Sequence, residues 1–80
     1  MSKASNSVII NQCGRLLVST IEHAFQTGAW KHDVELFIEK TKPGWFDTQI
    51  AMRISWKGEQ ANVDRFTEAA KDYLTAVGAY

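Results

Sequence analysis

Residues 34–56 read VELFIEKTKPGWFDTQIAMRISW, and the period of this stretch decides the fold. Val34, Leu36 and Ile38 alternate with Glu35, Phe37 and Glu39, the two-residue repeat of a half-buried strand. The alternation resumes after Lys42-Pro43-Gly44-Trp45, where Thr48, Ile50, Met52, Ile54 and Trp56 oppose Asp47, Gln49, Ala51, Arg53 and Ser55. Pro43 followed by Gly44 suits the two central positions of a type II turn. The stretch therefore reads as an antiparallel hairpin. Directly opposed residues share a sheet face, so the even-numbered apolar positions of the two strands must meet. Of the registers that satisfy this, the preferred one sets Glu35 opposite Arg53 and Phe37 opposite Ala51, with Pro43 to Trp45 as the loop.

The helical period frames the hairpin on both sides. From about Ser7 to Thr27, Asn11, Gln12, Arg15, Ser19, Glu22, His23 and Gln26 share one stripe. Ile9, Ile10, Cys13, Leu16, Leu17, Thr20, Ile21, Ala24 and Phe25 take the opposite arc, which predicts an amphipathic helix ending at Gly28. The run Val8-Ile9-Ile10 also admits a short strand, with the helix starting near Arg15; the polar stripe beginning at Asn11 favours helix. Residues 1–6 are small and polar and are expected to fray. From about Glu59 to Val77 a second apolar stripe, Val63, Phe66, Ala70, Tyr73, Leu74 and Val77, predicts another helix, closed by Gly78. The expected fold is α+β: one domain over residues 1–80, a two-layer α-β-β-α unit with one antiparallel hairpin packed against two helices.

Composition narrows the classes of function. Nine basic residues balance nine acidic ones, which argues against an electrostatics-first nucleic-acid arm or a polybasic membrane anchor. A single cysteine cannot make an internal disulfide and suits a cytoplasmic setting. No apolar run approaches the ~20 residues of a membrane helix. Neither a glycine-rich phosphate loop nor a metal-ligand spacing is present, so no cofactor, metal or catalytic residue is expected and the chain reads as a non-enzyme. Cys13 lies on the apolar arc and reads as a buried thiol. Ser19 and His23 stand one turn apart on the polar stripe, yet a helix face offers them no oxyanion donors.

A chain this short buries only about 60–65% of its unfolded surface. Within the expected fold the hairpin would keep two unpaired edges, so association is the natural remedy. The reading is a protein-interaction module acting as an adaptor or inhibitor on another protein, as a homodimer or a hetero-complex. Candidate partner-binding residues are Glu35, Phe37 and Arg53 on the outer hairpin face and Asp64, Glu68 and Asp72 on the acidic second helix. The alternative is a small nucleic-acid binder using Lys40, Lys42, Trp45 and Lys57, whose basic and aromatic groups could meet phosphates and bases. Against it, Asp33, Glu35, Glu39 and Asp47 offset most of the positive charge along residues 30–57. The α-β-β-α order resembles that of small phage morphogenesis proteins of the head–tail joining kind, a resemblance of topology with no shared signature residues, and fold alone does not assign function.

Overall fold

A computed structural model describes residues 2–40 and 49–79, leaving aside the side chains at positions 12, 13, 15 and 49. The elements run β1 (Lys3–Gly14), α1 (Arg15–His32), β2 (Glu35–Lys40), β3 (Gln49–Glu59) and α2 (Gln60–Ala76). The three strands form one antiparallel sheet in the order β1-β3-β2. The α+β class stands, and the hairpin packs against two helices as expected.

The structure corrects the expectation at its N-terminal end. Residues 3–14 are a strand, so the order is β-α-β-β-α, and the segment expected to fray lies largely within the sheet. The likeness to α-β-β-α phage proteins goes with it. The reason is local: Val8 and Ile10 point into the core while Ile9 is 60% exposed, an alternation that three consecutive apolar residues conceal. Asn6 shares the core-side parity of Val8 and Ile10, and its Nδ2 donates to Thr67 Oγ1 at 3.2 Å. A polar residue thus sits on the helix-facing side of β1 and hides the period further. The start of β1 is also tied to α2, for Gln60 N–H donates to the Ser2 carbonyl at 3.0 Å.

The first helix starts at Arg15 and runs beyond Gly28 to His32. Asp33 takes the left-handed position (φ 55°) that ends it, and its N–H meets the Ala29 and Trp30 carbonyls. Gly28 serves packing: a Cβ built there would lie 3.1 Å from Phe66 Cε2, so α1 and α2 approach closely at this point. Gly78, at φ 75°, closes α2 as expected, with the next N–H, from Ala79, reaching the Leu74 carbonyl at 2.9 Å.

The hairpin keeps its parity but slides its register. Leu36 faces Trp56, Phe37 faces Ser55 and Ile38 faces Ile54. Glu35 opposes Lys57 and Glu39 opposes Arg53, in place of the expected Glu35–Arg53 pair. This register sets two pairs of opposite charge across the strands, so it gains more than the one-pair alternative. The turn expected at Pro43-Gly44 falls outside the described residues.

Both helices cover the even-numbered face of the sheet. Val8, Ile10, Met52, Ile54 and Trp56 meet Val18, Ile21 and Phe25 of α1 and Val63, Phe66, Ala70 and Leu74 of α2. Trp56, 1% exposed, is the largest side chain of this core. Its ring centroid lies 5.0 Å from Phe66 in an edge-on arrangement and 6.1 Å from Phe25 in a tilted one, and its Nε1 donates to Thr67 Oγ1 at 3.0 Å. Trp30, near the end of α1, is 85% exposed.

Candidate interaction surface

With both helices on one side, the odd-numbered face of the sheet has no covering layer among the described residues. Its side chains fall into three rows across β1, β3 and β2. Ser5, Lys57 and Glu35 form the first, Ser7, Ser55 and Phe37 the second, and Ile9, Arg53 and Glu39 the third. Lys57 bridges the first two: its Nζ lies 3.5 Å from Glu35 Oε2 and 5.5 Å from the centre of the Phe37 ring. This ion pair is open to solvent and contributes at most about 1 kcal/mol. The cation over the ring still fixes a local arrangement of charge around Phe37, which is 47% exposed.

Three of the six expected partner-binding residues, Glu35, Phe37 and Arg53, therefore share one surface. Asp64, Glu68 and Asp72 are exposed on α2, which packs on the other side of the sheet, so they belong to a separate surface. The nucleic-acid candidates divide in the same way. Lys57 lies on the bare face, whereas Lys40 shares parity with the core face and its Nζ meets Glu22 Oε1 at 2.7 Å. Lys42 and Trp45 lie outside the described residues.

Ile9 is the surface residue the sequence reading missed, having been placed on a buried helical arc. A two-residue reading of Ser5, Ser7 and Ile9 against Asn6, Val8 and Ile10 would have found it. Leu16 and Trp30, 91% and 85% exposed, add isolated apolar groups on α1; single exposed apolar residues are ordinary. Ser19 and His23 are exposed on α1, and their neighbour Glu22 engages Lys40 instead. The Cys13 side chain lies outside the described set.

Among the described residues no group of three His, Cys, Asp or Glu side chains could hold a metal ion, and no helix is long and apolar enough to cross a membrane. A groove between the helices is lined by Phe25, Gly28, His32, Phe66 and Tyr73, with the His32 ring centroid 6.0 Å from that of Phe66. Comparison with protein-family models, with curated proteins and with solved structures finds no significant match. The surface must be judged on its own geometry.

Proposed function

We propose that the chain is a protein-interaction module that offers the bare face of its sheet to another protein and also associates with itself. The single observation that carries this reading is a three-stranded sheet that the described residues cover on one face, with Ile9 and Phe37 exposed on the other. Its grounds differ from those first expected. The hairpin is not left with two open edges, because β1 pairs with β3. What replaces them is a sheet face on which the apolar Ile9 and Phe37 and the cation Arg53 are exposed, with Glu35, Glu39 and Lys57 around them. Burying the Phe37 ring against a partner would contribute up to about 1.5–3 kcal/mol. Such a module acts by occupying another protein's surface, as an adaptor or an inhibitor, and needs no cofactor. The nucleic-acid alternative gains no support here, since Lys40 and Lys57 face opposite sides of the sheet.

The test uses the full chain as bait. A protein retained by the wild type is expected to be lost from a Phe37→Lys, Arg53→Glu double variant whose circular dichroism matches the wild type. Equal retention by both chains would contradict the reading of this face.

A further inference from the structure

We propose that the free edge of β1 pairs antiparallel with the β1 edge of a second copy, setting Ile9 opposite Ile9, and so joins two bare faces into one six-stranded platform. The proposal rests on the self-association reading above and gives it a geometry.

The topology singles out this edge. The chain crosses from β1 through α1 to β2, passing over β3. β3 runs opposite to β1 and both helices lie on the same face. A crossover of the same hand leaving β3 through α2 therefore moves the other way across the sheet, past β1. In agreement, α2 packs over β1 and β3. Among the described residues no strand occupies the position next to β1. Among the described residues that place beside β1 is open to a strand from elsewhere.

The two edges of the sheet are not equivalent. β2 is six residues long, and Glu35, Glu39 and Lys40 make half of them charged, which discourages strand addition. β1 is twice that length. It carries Lys3 at one end and a bulge between Ile10 and Cys13 at the other, and no charge or proline lies between. The Ser7 N–H is met by its neighbour's Oδ1, from Asn6, at 2.8 Å. A side-chain amide that satisfies an edge donor in this way can give place to a strand carbonyl at little net cost.

The residues that would meet argue for a second copy over a foreign strand. Opposed residues must share a face, which limits the seam to registers of even parity. In the register centred on Ile9, Val8 meets Ile10 on the core side and Ile9 meets Ile9 on the bare side. Apolar thus meets apolar at every regular pair, the self-complementarity an isologous two-fold contact requires. The two Lys3 residues fall at opposite ends of the seam, so no like charges meet. The bulge after Ile10 limits regular pairing in this register to Val8, Ile9 and Ile10 of each copy, which makes a small, weak contact.

Light scattering of the full chain at tens to hundreds of micromolar tests this. Ile9→Lys and Ile9→Glu each place like charges across the seam and are expected to weaken association by about tenfold or more. An equimolar mixture of the two is expected to restore a dimer, because Lys then meets Glu. Phe37→Lys, two strands away from the seam, is expected to stay dimeric. Dimers that survive Ile9→Lys, or a mixture that fails to recover, would overturn the edge pairing. If Phe37→Lys alone abolished the dimer, the copies would meet face to face: the edge proposal would fall and the self-association reading would stand. A wild type that stays monomeric yet still retains a protein through Phe37 would likewise overturn the edge and leave the interaction reading in place.

Discussion

Trp56→Ala is expected to lower the unfolding free energy by about 3–5 kcal/mol, read as a large drop in the urea midpoint. The indole is 1% exposed and packs at the centre of an aromatic cluster with Phe25 and Phe66, and Phe25 in turn meets Tyr73 at 6.2 Å. Removing it opens a cavity at the meeting point of both helices and β3, where little can collapse inward without dislodging a neighbour. The substitution also leaves Thr67 Oγ1 with only Asn6 Nδ2 as its donor. A domain of this size holds about 4–12 kcal/mol in all, so the variant is expected to lie close to unfolding. Trp30→Ala is the internal control. Its side chain is 85% exposed, and its loss is expected to change stability by no more than about 0.5 kcal/mol. A similar cost for both tryptophans would place the core elsewhere.

The second large effect separates two adjacent isoleucines. Ile10 is 1% exposed and lies opposite Met52 in the core, whereas Ile9 is 60% exposed and lies opposite Arg53 on the bare face. Ile10→Ala is expected to cost about 2–5 kcal/mol, and Ile9→Ala less than about 1 kcal/mol in dilute solution where single chains predominate. Chemical denaturation of the two variants reads the contrast directly. A helix through this segment would place both residues on one buried arc, and their losses would be alike.

That contrast marks where the fold was legible and where it was not. The hairpin showed itself because Leu36, Ile38, Met52, Ile54 and Trp56 keep strict two-residue spacing, and the structure puts all of them on the helix-covered side. The second helix was equally plain, since Val63, Phe66, Ala70 and Leu74 fall at helical intervals and all are buried. β1 escaped because two signals overlap at the strand–helix junction. Asn11 and Arg15 are four residues apart, so the polar stripe of α1 extends backwards into the strand and lends it a helical period. Ile9 on the bare side breaks the rule that polarity tracks exposure, and Asn6, exposed although it shares the core-side parity, interrupts the apolar alternation. Asn6 is tolerated because Thr67 meets its amide. The register of the hairpin depends on pairs at a distance, and parity alone leaves several choices open. Of the candidate surface, Glu35, Phe37 and Arg53 were legible from alternation. Their separation from Asp64, Glu68 and Asp72 was not, because only the layer arrangement decides which sides of the molecule two elements present.

The open side of the sheet gives this account its functional content, and the association state of the wild-type chain tests it most directly. Light scattering across a concentration series is expected to show the mass rising from the 9.0 kDa of one chain towards twice that value in the micromolar range. A mass fixed at 9.0 kDa at every concentration, with no protein held through Phe37, would contradict it.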